Sequence, residues 1–93
     1  MNTKHVACRR MGKLMLYALS TCVWCRKTKK LLDDLGVDYD YLDVDLIKGV
    51  GKKAAINSLK KHNPDCSFPT LVINDQRCII GFKEEEIREA LKP

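Results

Sequence analysis

Ser20-Thr21-Cys22-Val23-Trp24-Cys25-Arg26-Lys27 decides how this chain is read. Two cysteines stand three positions apart, after the apolar run 14–19 and at the head of a helical pattern. Ser20 and Thr21 are good N-cap types, whose side-chain oxygens can accept from the unpaired N–H groups of a helix start. A thiol at that point faces those N–H groups and the positive end of the helix dipole. Both favour the thiolate, which is the form that attacks disulfides. Cys25, in the first helical turn, is placed to attack a mixed disulfide on Cys22 and close a small ring. The stretch reads as a redox dithiol.

A lone Cys-x-x-Cys also serves as half of a zinc site. Here no second such pair exists, and a strand before the motif with a helix after it is the setting of redox pairs. The alternative from a different class is a zinc-binding or iron–sulfur carrier module using the same cysteines. His62 and Cys66 are the residues that could complete a zinc site with Cys22 and Cys25.

Ninety-three residues make one small domain. An apolar share of 45% with mixed charges fits a soluble globular protein. The cysteines number five, an odd count with only two close in sequence, which points to a reducing compartment, the cytoplasm, rather than a disulfide scaffold. Cys8, Cys66 and Cys78 then read as packing thiols, with Cys66 also near enough to Pro69 in sequence to approach the redox groove. The net charge of +5 is spread over helices and the first residues without an aromatic or motif signal, so nucleic acid is not an expected partner. Arg26 and Lys27 directly follow the dithiol and can help hold a thiolate. No stretch is long enough to span a membrane.

Residues 1–13 are polar, lack periodicity and read as a flexible arm; 14–93 read as a single domain. Arg9-Arg10 before an apolar run invites an export reading. The run is short, however, and cleavage there would remove the strand that the helix needs. Translation from Met11 would leave the compact domain whole.

Apolar residues 14–19 predict a strand covered on both faces. Thr28, Leu31, Leu32 and Leu35 recur at helical spacing, and Gly36 stands where a left-handed residue ends a helix. Residues 37–45 alternate Tyr and Val with Asp, predicting a strand nearer the sheet edge. Strand, crossover helix and strand form a right-handed parallel unit. A second helix is expected over 52–62, stopped by Asn63-Pro64. Residues 70–73 and 77–80 form a hairpin around Asn74-Asp75. A last helix over 83–92 opens on Glu84, Glu85 and Glu86, as the dipole prefers. Trp24, in the first turn between the cysteines, is expected to be exposed. Phe82 fits either the same groove or a cover for the last helix. Tyr17, Tyr39 and Tyr41 are expected in the core or on sheet faces, and Cys78 buried.

The chain resembles the glutaredoxins over 14–91. Cys22-Val23-Trp24-Cys25 after the first strand, Phe68-Pro69-Thr70 before the third and Gly81-Phe82 before the last helix carry the resemblance. It implies an α/β thioredoxin fold, βαβ-α-ββα, with a four-stranded mixed sheet flanked by three helices. It also implies a thiol–disulfide oxidoreductase, with Cys22 as nucleophile and Cys25 as resolving thiol. A cis peptide between Phe68 and Pro69 would turn the Phe68 backbone toward Cys22, where an extended substrate can pair with it. Val23, Trp24, Phe68, Pro69, Gly81, Phe82 and Lys83 are the implied binding residues for substrate or glutathione. Three positions depart from the usual pattern. Leu19 replaces a lysine before the first cysteine, Val23-Trp24 replaces Pro-Tyr, and Gly81-Phe82-Lys83 replaces a double glycine followed by an acid. The Gly-Phe-Lys form is closer to glutaredoxin-like donors that reduce ribonucleotide reductase and are recharged by thioredoxin reductase. The expected partners are a disulfide-bearing protein and, as electron donor, glutathione or a thioredoxin-reductase-type flavoprotein. A monomer with no tightly bound cofactor is expected, with glutathione as a possible co-substrate.

Overall fold

An apolar strand must be covered on both sides, and 14–18 is. The computed structural model describes residues 4–6 and 13–91. In chain order these form β1 (Lys4–Val6), β2 (Leu14–Ala18), α1 (Val23–Leu35), β3 (Tyr39–Asp43), α2 (Gly49–His62), β4 (Thr70–Ile73), β5 (Arg77–Ile80) and α3 (Glu84–Ala90). A 3₁₀ turn, Val44–Leu46, follows β3. Leu14, Leu16 and Ala18 pack with Leu31, Leu32 and Ile87 on the side of α1 and α3. Tyr17 lies on the alternate face, with Leu42, Ala55, Leu59 and Val72 on the side of α2. The period of two along a strand produces this split. Leu16, Leu32 and Leu59 have no exposed surface, and each such leucine contributes about 2 kcal/mol of burial.

The expected four-stranded mixed sheet is present as β3-β2-β4-β5, with β2 and β3 parallel and the other neighbours antiparallel. A fifth strand adds to it: β1 pairs antiparallel with Tyr39 to Tyr41 of β3. Within the stretch read as a flexible arm, residues 4–6 are thus attached to the sheet edge. An edge strand is held by backbone hydrogen bonds, which leave no periodic trace in the side chains. Residues 1–3 and 7–12, with Cys8 among them, lie outside the described residues.

Helix α1 ends as expected. Gly36 takes φ +66°, its N–H donates to the Asp33 carbonyl at 3.0 Å, and the Val37 N–H donates to Leu32 at 3.4 Å. That is a Schellman ending, closed by the apolar contact of Val37 with the core. Helix α2 begins three residues earlier than expected, at Gly49. The two glycines argued against helix there, but a Cβ at Gly51 would stand 3.1 Å from Ile47 Cγ2, so glycine lets the first turn lie close to the preceding chain. The strand expected over 37–45 is shortened to 39–43 because the 3₁₀ turn redirects Asp45. No helix among the described residues is long and apolar enough to cross a membrane.

Candidate active site

The end of β2 leads directly into the Cys22 turn, between the end of β3 on one side and the start of β4 on the other. Ala18 pairs with Asp43, and Tyr17 with Thr70. The cap of α1 differs from expectation. Cys22 itself is the N-cap, and its Sγ accepts from the Cys25 N–H at 3.2 Å. Ser20 is occupied elsewhere: its N–H donates to Asp45 Oδ1 at 2.8 Å, and its hydroxyl donates to Asp45 Oδ2. Those two contacts hold the Asp45 carboxyl below the usual carboxylate range, the hydroxyl contributing most. The turn ahead of the dithiol is thus tied to the end of β3.

The two thiols live in unlike surroundings. Cys22 is half-buried, whereas Cys25 has no exposed surface and belongs to the core under α1. Burial pushes the Cys25 thiol up to about 12, helped by its hydrogen bond to Cys22, and opposed by a backbone hydrogen bond with Leu19 and the charge of Lys29. Lys29 sits one turn further along α1, with Nζ 2.9 Å from Asp43 Oδ1 and 4.2 Å from the Tyr41 ring centre. The pair is four-fifths buried, so little solvent screens it.

An open groove of about 210 Å³ is lined by Trp24, which stands between the two cysteines, and by Phe68, Pro69, Gly81 and Phe82. Trp24, 55% exposed, stacks on Phe82 with ring centres 6.0 Å apart, and Lys27 Nζ stands 4.7 Å over the indole. Of the two places expected for Phe82, it takes the groove, and it also packs against the core. The Phe68–Pro69 peptide is cis. Gly81 donates its N–H to the Pro69 carbonyl at 2.8 Å while adopting φ +86°, a conformation that favours glycine. Asn63, read only as a helix stop, is a buried hub for this loop. Its amide nitrogen donates to Ser67 Oγ at 2.9 Å and to Thr70 Oγ1 at 3.0 Å, and its Oδ1 accepts from the Asp65 N–H at 3.2 Å.

A family model, Glutaredoxin, matches residues 14–78, well over half of the chain. The chain belongs to the glutaredoxin family. A crystal structure of the glutaredoxin of Methanosarcina mazei Go1 is 53% identical and superimposes with a TM-score of 0.90, covering 98% of this chain and 88% of that one. Methanosarcina acetivorans methanoredoxin is likewise 53% identical, with a TM-score of 0.89 over 92% of this chain and 90% of its own. A glutaredoxin-like 8.6 kDa protein of the Clostridium pasteurianum rubredoxin operon is 29% identical over 79 residues, 85% of this chain and 97% of that protein.

Of the glutaredoxin site residues expected from sequence, Trp24, Phe68, Pro69, Gly81 and Phe82 converge on one groove, and Cys22 and Cys25 flank its Trp24 in the chain. Val23 and Lys83 are exposed and do not line it; Lys83 is the N-cap residue of α3. Cys66 packs, half-buried, on the α2 side of the sheet, whereas Cys25 is in the core on the opposite side. Cys78 is half-buried rather than buried, and burial raises its thiol pKa. Among the described residues no three His, Cys, Asp or Glu side chains gather to hold a metal ion, so the zinc set of Cys22, Cys25, His62 and Cys66 is not assembled. Asp45, Asn63 and the Lys29–Asp43 pair were not foreseen as site supports. Asp45 meets a partner 25 positions away, and in sequence it is one more aspartate in an alternating strand.

Proposed function

We propose that this chain is a thiol–disulfide oxidoreductase that reduces protein disulfides. The observation that supports it most is the asymmetric dithiol: a half-buried Cys22 capping α1 above a fully buried Cys25. The Cys22 thiolate attacks one sulfur of the substrate disulfide, forms a mixed disulfide and expels the other sulfur as a thiolate. Cys25 gives up its proton and attacks Cys22 Sγ, forming the Cys22–Cys25 disulfide and expelling the second substrate thiolate. The substrate gains two electrons, which the dithiol loses. The Cys25 N–H, which donates to Cys22 Sγ at 3.2 Å, orients the sulfur that attacks first. Cys25, kept as a thiol until a mixed disulfide forms, is suited to the second step.

The groove is lined by apolar side chains and a glycine, with Lys27 over its Trp24 wall. That suits an apolar side chain of a protein substrate, entering as an extended strand beside Pro69, and Gly81-Phe82-Lys83 lacks the acid that follows the double glycine in glutathione-binding relatives. The electron donor is accordingly a thioredoxin-reductase-type flavoprotein ahead of glutathione, and a reducing compartment such as the cytoplasm fits the thiols. Two NADPH-coupled assays on one disulfide substrate test this, one with glutathione and its reductase, the other with thioredoxin reductase. Turnover is expected in the second and weakly in the first. Cys22→Ser is expected to abolish both; full activity in that variant would discard the assignment.

A further inference from the structure

Two unlike surfaces flank the Cys22 turn. One is the aromatic groove at the start of β4. The other lies where β3 leaves the sheet and the chain passes through Val44–Leu46 into α2. On this second flank Leu46 is 65% exposed and Val50 84%, more than any other large hydrophobic side chain among the described residues. Beside them is a shallow hollow of about 510 Å³, lined by Gly49, Val50, Lys52, Lys53 and Ile56. Single exposed aliphatics are ordinary; here two stand four residues apart, and Val50 also lines the hollow.

Positive charge outweighs negative at this corner. Lys48, Lys52 and Lys53 are exposed, and the first turn of α2 holds no acidic residue. Asp45 is the neighbouring carboxylate, and Ser20 already occupies both its oxygens, with Lys52 close enough to favour its charge. The same Ser20–Asp45 contact places the corner beside the dithiol, because Ser20 precedes Cys22 by two residues. A protein interface covers about 800 Å² on each partner, ample to span Cys22 and this corner together. A small disulfide cannot touch both.

We infer that Leu46, Val50, Lys52 and Lys53 form a docking surface for an acidic protein partner, one presenting an aliphatic side chain among carboxylates while its disulfide reaches Cys22. The inference rests on the disulfide-reductase reading. It assigns recognition of the protein substrate to both flanks of the turn, the groove taking the chain next to the disulfide and the corner taking the adjoining surface.

Three probes test it: a looped cystine peptide with a leucine and three glutamates on one arm, its twin with lysines for the glutamates, and hydroxyethyl disulfide, which is neutral and small. The wild-type protein is expected to turn over the acidic peptide with a kcat/KM about tenfold above that of the basic twin at low salt, shrinking toward parity at high salt. Lys53→Glu should reduce or abolish that preference. Val50→Ser should lower kcat/KM for the acidic peptide several-fold, through KM. Hydroxyethyl disulfide reports the dithiol alone, and its rate should be unaltered in both variants. Equal use of the two peptides by the wild type, or a preference untouched by the charge reversal, would overturn the docking surface while leaving the reductase reading intact. Failure of the wild type on all three probes would overturn the reductase reading and the docking surface with it.

Discussion

At the scale of single residues, the separation of roles between two chemically identical side chains comes from three positions of helix. Cys22 caps the helix, accepting from the Cys25 N–H, and Cys25 is carried into the core. Iodoacetamide at neutral pH should therefore label Cys22 at least about tenfold faster than Cys25, since alkylation needs both access and thiolate. Peptide mapping by mass spectrometry reads the ratio; equal labelling would contradict the asymmetry. Trp24 is the second residue whose surroundings make a prediction. Its indole stacks on Phe82 and carries Lys27 above it, so it shapes one wall of the groove. Trp24→Ala should lower kcat/KM for a peptide disulfide about tenfold and Trp24→Phe by much less, because an aromatic stack contributes roughly 1 kcal/mol beyond its buried area. The exposure of Trp24 was legible from its place between the cysteines; its partner was not, because Phe82 is 58 residues away.

At the scale of elements, the loop between α2 and β4 depends on one buried amide. Asn63 satisfies groups on Ser67, Thr70 and Asp65 at once, leaving them without these partners if it is cut back. Asn63→Ala should cost about 2 kcal/mol of stability, read by urea unfolding, as buried polar groups lose their hydrogen bonds. Sequence showed the helix stop, because Asn-Pro is a local signal. It could not show the hub, which needs the loop to fold back on the helix end. The α1 cap follows the same logic. Ser20 and Thr21 are better capping types than cysteine by propensity, yet Asp45 engages Ser20 from outside the helix and the cap passes to Cys22.

For the whole molecule, the buried Cys25 thiol couples stability to pH. Its folded pKa, about 12, lies above the ordinary 9.0, so the folded state holds the proton more tightly than the unfolded chain does. The contribution is complete below about pH 9 and is lost as pH rises toward 12. The reduced protein should lose stability across that window more steeply than Cys25→Ala, and more steeply than the oxidised form, in which the thiol no longer titrates. Denaturant unfolding at several alkaline pH values, run on all three, separates this thiol from the lysines and tyrosines that they share.

Local chemistry by itself determined much of this protein. The apolar run 14–18, the helical spacing after the dithiol, Gly36 and the Asn74-Asp75 turn specify β2, α1, β4 and β5, because period, caps and turn preferences act within a few residues. They also placed Cys22 and Cys25 at a helix start. Only the tertiary structure decided which groups surround that dithiol. The fifth strand, the Ser20–Asp45 tie, the Lys29–Asp43 pair and the Leu46–Val50 corner depend on which strand ends lie beside the Cys22 turn. Such neighbours are set by packing across the sheet, where contacts join residues far apart in sequence and no single segment carries the information.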